Sequence, residues 1–280
     1  MHLVIQGAEI ETGDLKALAK ISGASGIERI SATAFRLRDA VSDVNIAAEI
    51  TTLCERARLD FAFIPDTLRL ADFRLLVMDM DSTLITIETI DELADMVGLK
   101  PQVAAITEQA MRGEIEYDQS LNKRVALLEG LPQSALKRVY DERLKLSPGA
   151  ETLLAAAQKH GIKTLLVSGG FSHVTALLQP RLGLDYTYSN TLEVDEGKLT
   201  GKVVGRIVNA DAKRDELVRV RNLLGIQREQ IIGIGDGAND LKFMAECGVS
   251  VAYHAKPIVR RQTTHALNFA GLDGLLNLFN

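Results

Sequence analysis

Three short apolar runs constrain this chain most: "RLLVMD" (74–79), "IKTLLVS" (162–168) and "QIIGIGD" (230–236). None alternates apolar with polar residues. A strand with one wet face must alternate, so these runs predict strands covered on both faces, as in a parallel sheet flanked by helices. Each run ends in a polar cluster, at Asp79, Ser168 and Asp236. Open α/β sheets bind ligands beyond the carboxyl ends of their strands. The three clusters are therefore expected to converge on one crevice.

The rest of the chain fits around that sheet. Residues 1–70 read as a separate small unit in the order βαββαβ, a ferredoxin-like α+β pattern. Its pieces are "HLVIQGA", a helix from Asp14 to Gly23, "IERISATAFRLR", "VNIAAEITTLCERARL" and "DFAFI". Pro65 to Asp72 reads as the linker. Residues 71–280 form the α/β unit. Within it, about 88–146 is helical in pattern and long for a crossover, which suggests a cap over the site. Ser147 is the expected N-cap of the following helix, with Pro148 in its first turn and Gly161 as its stop. Residues 185–208 predict a β-hairpin turning at Asp195-Glu196-Gly197.

Composition narrows the partners. The 280 residues are 46% apolar and 25% charged, with net charge −5. No broad basic field invites nucleic acid. No apolar run reaches the ~20 residues of a membrane helix, and the N-terminus lacks a secretory pattern. Cys54 and Cys247 show neither CxxC nor metal-ligand spacing, and Cys54 lies on an apolar helical stripe. A cytoplasmic protein is expected. The five histidines form no ligand cluster.

Four local signals carry chemistry: Asp79-Met80-Asp81-Ser82-Thr83, Ser168-Gly169-Gly170, Lys213 in "NADAKRDEL", and "GDGAND" with Asp236, Asn239 and Asp240. Several carboxylates in one crevice repel unless a hard cation such as Mg²⁺ joins them. A phosphate adds negative charge that the cation, Lys213, Ser168 and glycine-flanked amides can offset. One carboxylate, Asp79, can then attack phosphorus to give an aspartyl phosphate. The other, Asp81, lies two residues on and can act as acid and base. "GIGDGA" (233–238) also fits a dinucleotide fingerprint, but Asp236 would meet the pyrophosphate with like charge. Taken alone, Ser168 fits a helix N-cap and Lys213 a surface charge. The order of the four signals is what sets those readings aside.

DxDST, the SGG serine, the isolated lysine and GDGxND stand here in the order of the haloacid dehalogenase superfamily. "DMDSTLITIETIDELA", "SLNKRVALLEGLP", "VSGGF", "GLDYTYSNTLEVDEGKLTG" and "GDGANDLKFMAECGVSVAYHAKPI" extend the match over residues 72–270. In this stretch the chain resembles the branch of that superfamily that acts on phosphoserine. The resemblance implies a Rossmann-like core with a helical cap, and Mg²⁺ held by Asp79, the backbone carbonyl of Asp81, and Asp236. It implies phosphoryl binding by Ser168, Gly169 and Lys213, with Asn239 and Asp240 supporting the lysine and the metal. Cap residues Glu88 and Arg124 would take the substrate's ammonium and carboxylate. Met111 and Tyr117 would line the cap, the tyrosine standing where a phenylalanine is expected.

L-Phosphoserine needs such an acid, a bidentate base and a phosphate cradle. Each cap residue also has a plainer reading. Glu88 fits an exposed first turn, Arg124 a solvated helix face beside Lys123, and Met111 and Tyr117 simple packing. The expected activity is hydrolysis of O-phospho-L-serine to L-serine and phosphate, the last step of serine biosynthesis. Phosphotransfer to an alcohol, or another small monoester, stays open. So does a non-catalytic sensor. Residues 1–70 resemble amino-acid-binding ACT domains and are candidates for regulation or for homodimer formation.

Overall fold

The structure is a computed structural model that describes residues 1–279. Its centre is a seven-stranded sheet with strand order β11-β10-β9-β5-β6-β7-β8. The three apolar runs are β5 (Leu75–Met78), β6 (Lys163–Phe171) and β9 (Ile231–Gly235). They are adjacent and parallel, with β5 in the middle. Successive residues of β5 enter different cores, which explains the missing alternation. Leu76 and Met78 pack with Leu153, Leu154 and Leu178 from α7 (Ala150–Lys159) and α8 (Ser172–Leu182). Leu75 and Val77 pack with Leu217 and Val220 of α9 (Ala210–Leu224) and with Phe243 and Met244 of α10 (Leu241–Met244).

Two parallel strands, β10 (Val249–Tyr253) and β11 (His265–Leu267), extend the sheet beyond β9. They were not anticipated, because five- and three-residue runs carry too little pattern to stand out. At the other edge, β7 (Tyr186–Asp195) runs parallel to β6 and turns back as β8 (Lys198–Val204). The turn is where it was expected. Glu196 and Gly197 both have positive φ (45° and 76°), as a two-residue hairpin turn that matches strand twist requires.

The cap comprises α3 (Thr89–Asp95), α4 (Lys100–Met111), α5 (Tyr117–Ala126) and α6 (Ser134–Glu142). The chain enters and leaves it side by side: Thr86 N–H donates to Lys145 O, and Ser147 N–H to Leu84 O, each at 3.0 Å. Cap residues Leu93, Val103, Leu121, Val125 and Val139 bury one another and close over Phe171, Leu192 and Leu199. The loop before α6 is hydrogen-bonded to the hairpin through its backbone. Gly130 donates to Leu199 O (2.8 Å), Leu199 to Leu131 O (2.9 Å) and Gln133 to Gly197 O (2.9 Å).

The N-terminal unit has the expected βαββαβ order: β1 (His2–Gln6), α1 (Thr12–Ile21), β2 (Gly26–Ser31), β3 (Ala34–Arg38), α2 (Val44–Ala57) and β4 (Asp60–Ile64). Its sheet, ordered β2-β3-β1-β4, is antiparallel throughout. One sheet face, with Leu3 and Ile5, meets its own helices at Leu18, Ile50 and Cys54. The other face, with Val4, Ala62 and Ile64, joins the main core beside Leu76 and Leu275. Asp60 adds a polar tie by accepting the backbone N–H of Asn268, Phe269 and Ala270 at 2.6–2.9 Å.

Two helix starts differ from expectation. Helix α1 begins at Thr12 rather than Asp14, so Asp14 sits in the first turn, where a carboxylate favours the positive end of the helix. Helix α7 begins at Ala150, preceded by Gly149 in the left-handed region (φ 78°). Ser147 is therefore not an N-cap. It is buried and hydrogen-bonds the Tyr253 hydroxyl. Both cysteines are buried and unpaired, and burial pushes the Cys54 thiol up to about 12.

Candidate active site

Asp79 follows β5 directly, its N–H held by Ile234 O at 3.0 Å. The chain then makes one wide turn, Met80 to Leu84, with Ser82 in the left-handed region (φ 56°). That conformation is uncommon for a residue with a Cβ and often marks functional turns. Side chains anchor the turn to its surroundings: Ser82 Oγ donates to Glu88 (2.6 Å) and Thr83 Oγ1 to Asp236 (2.8 Å). Met80 is buried in the core, while Asp79 and Asp81 both line the cavity above it.

Lys213 is the most unusual side chain in the molecule. It lies in the first turn of α9, fully buried. Its Nζ donates to Asp79 Oδ1 at 2.7 Å and to Asp240 Oδ1 at 2.8 Å. Burial alone would lower this ammonium, but the Asp240 and Asp79 charges outweigh it and hold it above its ordinary value. The carboxylates respond in kind. Burial, then the Asp240 charge, push Asp79 well up despite Lys213. Burial and the Glu88 charge raise Asp81 to about 7, although Thr89 opposes this through its hydroxyl and N–H. Burial and Asp240 raise Asp236 to about 7 against the Thr83 hydrogen bond.

One oxygen each of Asp79, Asp236 and Asp240 lies within 4.8 Å of the others. Three carboxylates share one ammonium, which leaves excess negative charge among oxygen donors only. That donor set suits a hard divalent cation. Asp240 is already engaged, by Lys213 and by the Gly237 N–H at 3.0 Å. Asp79 and Asp236 are the two with capacity to spare.

The glycine pair makes the third wall. Ser168 is buried, and its Oγ accepts the Gly170 N–H at 2.8 Å. It is not a helix cap, since α8 starts only at Ser172. A Cβ on Gly170 would lie 2.6 Å from Met80 Cε and 2.7 Å from Asp81 Oδ2; one on Gly169 would overlap the Tyr117 hydroxyl. Only glycine lets these walls approach so closely.

The cavity holds about 140 Å³ and is lined by Asp79, Asp81, Glu88, Tyr117, Arg124, Gly169, Asp236 and Asn239 among others. Glu88 is exposed at its mouth; desolvation on the cavity side raises its carboxyl, against the Ser82 hydrogen bond. Arg124 spends Nε on Ser120 O (3.4 Å), which leaves its terminal nitrogens to the cavity. Met111 is not brought here. It ends α4 at 64% exposure, outside the lining. Among the other expected residues, Ser168 and Lys213 lie buried beneath the lining and Asp240 behind them.

Several residues escaped the sequence reading. Buried Asn190 on β7 donates to Gly169 O (2.8 Å) and accepts the Val208 N–H (2.9 Å), so it ties the glycine pair to the chain entering α9. Thr83 and Thr89 orient Asp236 and Asp81. Asn209 caps α9 through Ala212 N–H at 3.1 Å and bonds Asp118 on the cap.

Known proteins resemble this chain over most of its length. The family described as haloacid dehalogenase-like hydrolase matches residues 76–245, and a domain of unknown function matches residues 3–50. A phosphoserine phosphatase of Albidiferax ferrireducens is 52% identical over 217 residues, 76% of this chain and 92% of that protein. A haloacid dehalogenase family hydrolase of Salmonella enterica serovar Typhi superposes with TM-score 0.90 at 32% identity, covering 100% of this chain and 98% of that one. A phosphoserine phosphatase solved as a phospho-aspartyl intermediate analogue superposes with TM-score 0.70 at 36% identity, covering 74% and 99%. The chain belongs to the haloacid dehalogenase-like hydrolase family, where it groups with the phosphoserine phosphatases.

Proposed function

We infer that this protein hydrolyses O-phospho-L-serine to L-serine and phosphate through an aspartyl phosphate. The observation that carries the reading is Lys213, buried between Asp79 and Asp240 at the mouth of parallel strands. A buried ammonium on a carboxylate, beside further carboxylates, prepares a site for a phosphoryl group and not for structure alone.

In this reading Asp79 attacks phosphorus. Lys213 holds its Oδ1, which aims the other oxygen at the substrate and offsets charge as the phosphoryl group arrives. Asp81, near pH 7 in its proton affinity, gives its proton to the departing serine oxygen. It then takes a proton from the water that attacks the aspartyl phosphate. Thr89 fixes Asp81 Oδ1, so Oδ2, which faces Gly170, does the transfer. Amides around Gly169 and Gly170, with Ser168, cradle the phosphoryl oxygens.

Asp79 and Asp236, with the backbone carbonyl of Asp81, would hold a divalent cation, for which Mg²⁺ is the proposal. When bound, it neutralises carboxylate and phosphoryl oxygens together. Glu88 meets the substrate ammonium and Arg124 its carboxylate; Tyr117 closes the wall over Gly169 and Asn239 borders the phosphate side. Met111 is left without a contact to substrate.

Residues 1–70 are proposed as an accessory unit of ACT-like type, regulatory or dimerising, and 71–280 as the phosphatase unit. The βαββαβ order supports the first half of that division. Among the described residues, no helix is long and apolar enough to cross a membrane. A cytoplasmic setting is supported by two buried, unpaired cysteines.

The test is phosphate release from O-phospho-L-serine and a panel of small phosphomonoesters, with and without Mg²⁺ and added alcohols. Mg²⁺-dependent release that prefers phosphoserine and is unchanged by alcohols is expected. Preference for another monoester, or transfer to the alcohol, overturns the reading.

A further inference from the structure

The cap meets the catalytic floor at a point outside the substrate cavity. Asp118, the second residue of α5, accepts two hydrogen bonds from Asn209 Nδ2, at 3.0 and 3.3 Å. Asn209 belongs to the other side of the cleft. Its Oδ1 caps α9 through Ala212 N–H (3.1 Å), and its carbonyl accepts the Lys213 N–H (2.9 Å). One side chain therefore touches the cap and sets the helix turn that carries Lys213. The neighbour of Asp118 is Tyr117, whose ring lies over Gly169. The two residues line a second cavity beside the substrate site, with Glu116, Asp211 and Asn239.

From this geometry we propose that Asp118 and Asn209 are a positioning pair that latches the cap closed over the substrate. The inference rests on the reading of Lys213 and the cap given above. A hydrogen bond to a carboxylate is stronger than a neutral one, so its loss shifts an open–closed balance by about tenfold. When Asp118 and Asn209 are joined, Glu88, Tyr117 and Arg124 stand around the cavity and α9 is registered beneath them. When they part, the fraction of molecules competent to bind falls, and apparent affinity falls with it. The substrate's own contacts restore closure at saturation, so the defect belongs to KM and not to kcat.

The decisive variant is Asn209→Asp. Aspartate caps a helix as well as asparagine does, so α9 keeps its start, but the new carboxylate faces Asp118 with like charge. Adding Asp118→Asn restores one amide and one carboxylate in reversed positions. In the full chain, hydrogen exchange of the amides at the start of α5 should quicken about tenfold in Asn209→Asp. It should return to within about threefold of the parent in the double variant. Asp118→Ala, which leaves α9 untouched, should quicken exchange similarly. With phosphoserine, KM should rise about tenfold in the single variants, with kcat within about threefold, and recover in the reversed pair. Unchanged α5 exchange in Asn209→Asp, or a double variant no better than the single, overturns the latch. If the parent protein fails to hydrolyse phosphoserine, the functional reading falls, while hydrogen exchange still decides the latch.

Discussion

Thr89, the first residue of α3, donates its hydroxyl (2.6 Å) and its backbone N–H (3.3 Å) to the same oxygen of Asp81. The proposed general acid is thus steadied by α3 and not by the sheet. Hydrogen bonds to the charged form lower a carboxyl pKa, so their loss raises it. Thr89→Val, which keeps the shape, should lift the alkaline limb of kcat and lower kcat roughly threefold to tenfold. A pH–rate profile identical to the parent's would remove Thr89 from that role.

Asp79→Asn should abolish turnover and phosphoenzyme, a loss of at least ~10³-fold. Lys213 keeps its bond to Asp240, so the fold should survive. Trapping with radiolabelled substrate and quenching in acid reads the intermediate directly; label retained on the variant would move the nucleophile elsewhere.

Arg124→Ala should raise KM for phosphoserine by roughly 100-fold, the scale of a lost charge-assisted pair. A phosphate ester without a carboxylate should lose little. Steady-state kinetics on both substrates makes the comparison, and equal losses would place Arg124 among merely structural residues.

Metal removal should change how stability depends on pH. Burial raises Asp81 and Asp236 from 3.8 to about 7. A carboxyl that holds its proton more tightly when folded lends stability that is complete below the unfolded value and lost as pH rises through the folded one. The chelated protein should therefore lose several degrees of Tm between pH 6 and 8. A divalent cation would take Asp236 as an anion, so added Mg²⁺ should raise Tm more at pH 8 than at pH 6. Thermal scans with chelator and with Mg²⁺ at both pH values check the crossing.

Asp60→Ala should lower Tm by roughly 5–10 °C, since three backbone N–H groups lose one shared acceptor. The same variant should leave KM for phosphoserine near the parent value, as Asp60 lies outside the cavity.

What could be read in advance follows from locality. Asp79, Asp81, Ser168 and Asp236 stand at the ends of apolar runs, so pattern alone placed them at one edge of a parallel sheet. Lys213 was legible only through its order among the other signals, because nothing in "NADAKRDEL" says that its ammonium will be buried. The roles of Asn190, Thr83 and Asn209 were not legible. Their partners lie 18 to 153 positions away, and a polar residue in a strand or turn looks the same with or without such a partner. Met111 stands in the cap as the family likeness implies, at the exposed end of α4 and outside the cavity lining. Ser147 followed a sound capping rule that Gly149, with its left-handed backbone, overrode.

The hairpin beyond β6 gives the cap a mechanical asymmetry. Its backbone grips the loop before α6, and Gly201 lies close against Ala126, the last residue of α5, where a Cβ would come 3.2 Å from the Ala126 Cα. The cap thus has a heel fixed to the sheet, while the opposite end of α5 is the toe. The ten residues of that helix connect this heel to Tyr117. The hairpin and the wall of the candidate cavity are therefore two ends of one rigid element, with the Tyr117 hydroxyl against Gly169.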